Sequence, residues 1–123
     1  MTKTWLFFGV LISIFTNSCN NKQPLFRLVP SAESGVEFHN TLVPTDTLNV
    51  LKYEYFYNGA SVSVGDFNND GLSDLFFTGN LVTNKMYLNR GNLKFEDNSE
   101  IAGIENKDRW NTGCAVADVN NDG

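Results

Sequence analysis

Histidine and cysteine are scarce in this chain: 123 residues hold one histidine and two cysteines. Nucleophilic thiol chemistry needs a base beside the sulfur, and the single candidate, His39, lies far in sequence from Cys114. Two cysteines, one of them directly behind an apolar run, do not build a disulfide framework. Basic residues are also few, nine against fourteen acidic ones for a net charge of −5, and they form no cluster. That excludes the electrostatic footprint of a nucleic-acid binder. Long apolar runs are missing too. The longest, Trp5 to Phe15 (WLFFGVLISIF), counts eleven residues, broken only by one glycine and one serine. As a helix it would reach roughly 16 Å, about half of a hydrocarbon core. A transmembrane anchor is therefore a poorer reading than the apolar segment of a signal peptide, headed by the basic Met1-Thr2-Lys3-Thr4.

Thr16-Asn17-Ser18-Cys19 follows the apolar run. A small residue before a cysteine at this place resembles the lipobox of bacterial lipoproteins, although Thr16 and Asn17 stand where that pattern has leucine and a small residue. The resemblance implies removal of residues 1–18 and lipidation of Cys19, with an exported, outer-membrane or cell-surface protein attached to the membrane through that lipid. Ordinary cleavage, leaving Cys19 as a thiol or half of a disulfide, is the alternative. Counting from Cys19 removes Lys3 and no acid, so 8 basic and 14 acidic residues remain, a net of −6. Such a surface suits cations.

The chemistry concentrates in DFNNDGLSD, residues 66–74. Asp66, Asn68, Asp70 and Asp74 occupy positions 1, 3, 5 and 9, with Gly71 at position 6. Calcium takes six to eight oxygen ligands, and alternate side chains of a tight loop can face one centre. Glycine at position 6 permits the sharp turn, and Leu72 at position 7 would offer its backbone carbonyl. A solvated, Asx-rich turn is the bland alternative. An EF-hand is excluded by Phe77 at position 12, where a bidentate glutamate belongs. Calcium is preferred to magnesium because this flexible donor set suits a variable shell rather than a strict octahedron.

Strand patterns surround the loop. Ser61 to Val64 alternates, and Asp74 to Thr78 is aromatic-rich and closed by Gly79-Asn80. Residues 85–89 (KMYLN) and 93–97 (LKFED) alternate around Arg90-Gly91-Asn92, predicting a hairpin in which Met86 and Leu88 share a face with Leu93 and Phe95. Four strands, near 60–66, 73–78, 85–89 and 93–97, predict an all-β fold: a four-stranded antiparallel meander, the unit of a propeller blade. Upstream, Ser34-Gly35 reads as a turn and Val36 to His39 as a short strand; Lys52 to Tyr57 would place Tyr53, Tyr55 and Tyr57 on one face if extended.

The sequence then repeats. SVGDFNNDG from Ser63 overlays AVADVNNDG from Ala115 at a step of 52 residues. Asp118, Asn120 and Asp122 thereby match Asp66, Asn68 and Asp70, and Gly123 matches Gly71. Periods of this order mark propellers and arrays. One full blade spans 58–109 and the start of a second spans 110–123, after a 19–34 tether and a 35–57 strand-and-loop segment. Because the second loop stops at its sixth position, the chain reads as the N-terminal piece of a longer protein; a degenerate last repeat is the alternative. Cys114 aligns with Val62 and is expected inside as a small apolar residue. Trp110 is expected to pack against the following blade.

With these residues in hand, VSVGDFNNDGLSDLFF together with MYLNRGNLKFED resembles the FG-GAP-like (VCBS-type) repeat of calcium-binding β-propellers. The longer run from YFYNGASVSV to FEDNSEIAGI is similar to the start of bacterial surface proteins related to the cartilage acidic protein family. The resemblance implies calcium ligation by Asp66, Asn68, Asp70 and Asp74, and by Asp118, Asn120 and Asp122 in the cut copy. It also implies adhesion or binding of a protein or glycan ligand, without catalysis. Another class stays open: the front of a propeller-based carbohydrate-active enzyme such as a polysaccharide lyase. That enzyme would need a base and clustered cationic residues, and neither is evident here. A dockerin-like module is disfavoured by FFTG after the loop and by the 52-residue step.

Overall fold

The computed structural model describes residues 24–106 and 108–120. The signal segment, Cys19, Asp122 and Gly123 therefore lie outside the described residues. Four strands form one antiparallel sheet in the order β1-β2-β3-β4: β1 (Val62–Gly65), β2 (Asp74–Phe77), β3 (Lys85–Asn89) and β4 (Phe95–Asp97). This is the predicted meander; β3 has the expected bounds, and the other three strands are shorter than the alternation suggested. The only helix among the described residues is one turn, α1 (Ser31–Ser34), closed by Gly35 at φ 78° with its N–H on the Ser31 carbonyl. A left-handed residue at that place is how helices commonly end.

Register follows from which side chains must share a face. Val64 stands opposite Leu75, and Leu75 opposite Tyr87. Ser63, Phe76 and Met86 line up on the other side. The β3–β4 hairpin departs from the sequence reading. Leu88 stands opposite Glu96 and Asn89 opposite Phe95, so Phe95 shares its face with Tyr87 rather than with Met86 and Leu88. The cause is the alternation itself: Tyr87 and Asn89 are two residues apart and share a face, so the residue opposite Asn89 joins them. Gly91, Asn92 and Leu93 are all left-handed, at φ 82°, 52° and 57°, and Arg90 N–H closes on the Lys94 carbonyl at 2.7 Å. Leu93 is thus a loop residue, and β4 begins only at Phe95.

The N-terminal segment covers the Tyr87 face. Phe38 stacks on Phe77 with centroids 4.9 Å apart, and Phe77 meets the edge of Tyr87 at 5.8 Å. Glu37 donates its backbone N–H to the Tyr87 hydroxyl at 3.2 Å. Burial pushes the Tyr87 phenol above its ordinary pKa, more than that hydrogen bond lowers it. Residues 36–39 do this without joining a strand ladder, against the expectation of a strand. Residues 54–57 likewise form turns rather than an extended run: Phe56 donates to the Tyr53 carbonyl and is fully buried, while Tyr55 and Tyr57 are exposed. Trp110 packs on this segment, 5.3 Å from Tyr53 and 5.7 Å from Phe56. Its aromatic partners among the described residues are therefore upstream of the blade.

Among the described residues, buried apolar side chains are few, namely Phe56, Tyr87 and Leu88, and buried polar ones take over much of the interior. Asn80 is the centre of that network. Its Oδ1 accepts from Asn40 Nδ2 at 2.8 Å, its N–H donates to Asn40 Oδ1 at 2.9 Å, and its Nδ2 donates to the Asn111 carbonyl at 3.0 Å. Asn84 Oδ1 accepts from the Gly79 N–H and from Asn111 Nδ2. Beside it, Asn80 and Trp110 form an antiparallel bridge, and Leu81 N–H donates to the Arg109 carbonyl. Three stretches, around 40, 79–84 and 109–111, are thereby joined where buried backbone groups would otherwise lack partners.

Candidate functional site

The loop between β1 and β2 starts where the ladder ends at the Gly65↔Asp74 pair. Asn69 and Gly71 take left-handed conformations, φ 59° and 84°, which fold residues 66–74 back on themselves. Asparagine and glycine tolerate that region best. The Asp66 carboxylate accepts from Asp70 N–H at 3.1 Å through Oδ1 and from Gly71 N–H at 2.8 Å through Oδ2. Asn68 Oδ1 also accepts from Asp70 N–H, and Asn68 Nδ2 donates to Asp70 Oδ2 at 2.8 Å. Asp70 Oδ1 accepts the Leu72 N–H at 2.8 Å. Asp66, Asn68 and Asp70 are thus brought together at one exposed bend, with Leu72 beside them.

Asp74 differs. It is fully buried, and its two oxygens each take a backbone donor: Phe67 N–H at 2.9 Å and Asn89 N–H at 2.7 Å. Among the described residues, no three carboxylate, imidazole or thiol side chains converge as a metal-holding group. The donor chemistry nonetheless suits a hard cation, since the loop offers carboxylate, amide and carbonyl oxygens and no sulfur or imidazole. The carboxylate oxygens of Asp66 and Asp70 that bond amides here retain further lone pairs.

In the second copy Asn120 N–H closes on Asp118 Oδ1 at 3.2 Å, a first turn like that of the first loop. Asp118 and Asn120 line the same open groove as Asp66, about 540 Å³ in volume and floored by Phe76 and Met86. The structure therefore places the start of the second loop beside the start of the first, on the sheet face opposite Tyr87. Cys114 sits half-buried between two hydroxyls, with Ser63 Oγ donating to Sγ at 2.6 Å and Ser61 Oγ sharing a hydrogen bond with Sγ at 2.8 Å. It does not lie in purely apolar surroundings. His39 is exposed.

The asparagine network was not evident in the sequence. Asn40, Asn80, Asn84 and Asn111 stand in loops, where asparagine is ordinarily a solvated turn residue. The sole hint was Gly79-Asn80 directly behind an aromatic strand.

Residues 66–123 match the sequence family described as the FG-GAP-like repeat. A 65-residue stretch, 53% of this chain, is 35% identical to cartilage acidic protein 1 of Mus musculus. The chain spans 10% of that relative's length. No solved structure matches. The four-stranded antiparallel sheet has the form of a β-propeller-type blade, and the matched stretch is similar in sequence to the FG-GAP-like repeat. The matched stretch is the region that folds here as β2 to β4 and runs on into the second copy.

Proposed function

We propose that this blade binds calcium through the 66–74 loop and belongs to an exported surface protein that holds a protein or glycan ligand and performs no catalysis. The observation that carries the reading is the gathering of Asp66, Asn68 and Asp70 on one exposed bend that is anchored by Asp74 to the sheet. Asp66, Asn68, Asp70, the Leu72 carbonyl and Asp74 would hold the ion, and Asp118, Asn120 and Asp122 would begin a second site. Calcium, when bound, neutralises carboxylates that otherwise repel one another across a short loop. The protein's own residues do the rest: Gly71 turns the chain, Asn68 orients Asp70, and Asp74 fixes the loop's base.

Binding to the native state alone stabilises by RT ln(1 + [L]/Kd), about 2.7 kcal/mol at a hundredfold excess. Extracellular modules bind calcium at about 10⁻⁴–10⁻³ M, so a melt in 10 mM calcium against chelator is the test. A higher melting temperature in calcium is expected. Equal temperatures for the folded chain would reject the reading.

A further inference from the structure

We infer that Asp74 is a positioning residue that shapes the loop whether or not a cation is present. This deepens the calcium reading and rests on it only for the ion itself. A buried carboxylate is costly to keep charged unless donors surround it, and Asp74 has no exposed surface. Its two donors come from opposite sides of the loop. Phe67 is the second loop residue, and Asn89 is the last residue of β3. The β2–β3 ladder ends at Leu75↔Tyr87, so Asn89 N–H lies past the last pair; Asp74 Oδ1 takes it at 2.7 Å. Asn89 returns the contact through Nδ2, which donates to the Ser73 carbonyl at 2.8 Å.

One carboxylate therefore ties the loop's first turn to the third strand. Hydrogen bonds from N–H groups to a charged acceptor are roughly twice as strong as neutral ones, and these two are shielded from water. The exposed half behaves differently. Among the described residues, Asp66, Asn68 and Asp70 bond only groups of the loop itself. The loop thus has a fixed base, independent of metal, and a tip that a cation would order. Asp74 then acts on calcium through the placement of Asp66 and its neighbours, in addition to any oxygen it offers.

Amide hydrogen exchange on the full chain tests this without a variant. In chelator, the Phe67 and Asn89 amides should exchange as slowly as those of β2 and β3, whereas Asp70 and Gly71 should exchange quickly. Adding calcium should slow Asp70 and Gly71 alone. Phe67 and Asn89 exchanging as fast as Asp70 in chelator would overturn the role. Calcium leaving Asp70 and Gly71 unchanged would sink the calcium reading, while slow Phe67 and Asn89 would still uphold Asp74. Asp74→Asn, which keeps one acceptor oxygen, should free at least one of the two amides and weaken calcium binding at least tenfold. Unchanged exchange and unchanged affinity in that variant would also overturn the inference.

Discussion

Replacing Asn80 with alanine should remove the joint that holds the N-terminal segment, the blade and the linker to the second repeat together. The side chain makes two hydrogen bonds, to Asn40 Nδ2 and to the Asn111 carbonyl, from a position with no exposed surface. Alanine would strand both partners. A buried polar group left unpaired costs about 1–3 kcal/mol. Asn40 and Asn111 are themselves only half-buried, so water can reach part of the gap and the lower half of that range applies to each. The expected loss is about 2–4 kcal/mol, a large share of the roughly 5–15 kcal/mol that holds a domain together. Urea unfolding followed by Trp110 fluorescence is the assay, because that ring sits beside the network on Tyr53 and Phe56. With a slope of about 2 kcal/mol per molar, the middle of the usual range for small domains, the midpoint should fall by about 1–2 M at constant slope. A change below about 0.5 kcal/mol, the size usual for surface positions, would refute the reasoning and mean that the amides are solvated rather than buried.

Two further outcomes are expected. Burial disfavours the charged form of Asp97, but hydrogen bonds from Lys85 and Ser99 and the lysine charge outweigh it and hold the carboxyl below its ordinary pKa; the same pair raises Lys85. Asp97 then stabilises the fold above the ordinary carboxylate pKa and loses that contribution as pH falls through its folded value. Lys85 contributes below the ordinary lysine pKa and loses it as pH rises through its own. With side chains 32% and 41% exposed, the pair is worth less than about 1 kcal/mol. Asp97→Asn should accordingly flatten the acid limb of a pH–stability curve by no more than that, and a larger change would show that the pair is not screened. Export is the second: the mature protein from a suitable bacterium should lack residues 1–18 and carry acyl groups on Cys19, whereas an intact Met1 by mass spectrometry would reject the lipid anchor.

The sheet was legible because its strands announce themselves in two independent ways. Alternation marks Ser61 to Val64 and Lys85 to Asn89, and DFNNDG, Gly79-Asn80 and Arg90-Gly91 mark the turns between. Register was not legible in the last hairpin. Nothing in Leu93 signals a left-handed residue, yet its φ of 57° places it in the loop, so that Phe95 rather than Leu93 stands opposite Asn89. Residues 36–39 alternate like a strand, but their partners are an aromatic ring and a phenol hydroxyl rather than a neighbouring backbone. The loop carboxylates were legible as a set. Their division into an exposed tip and a buried base was not, because Asp66 and Asp74 are the same residue type and burial is decided by strands distant in sequence. The Asn80 network stayed hidden for a similar reason, since a buried asparagine and a solvated one are written with the same letter.

Calorimetric titration of calcium into the full chain, beside its Asp70→Ala variant, tests the central claim most directly. Asp70 is exposed, lies in the middle of the loop, and its side chain bonds only Asn68 and the Leu72 amide among the described residues, so its removal should leave the sheet intact. The account predicts saturable binding with a Kd of about 10⁻⁴–10⁻³ M in the parent chain and none at the first loop in the variant. Equal binding by both, or none by a folded parent, would contradict it.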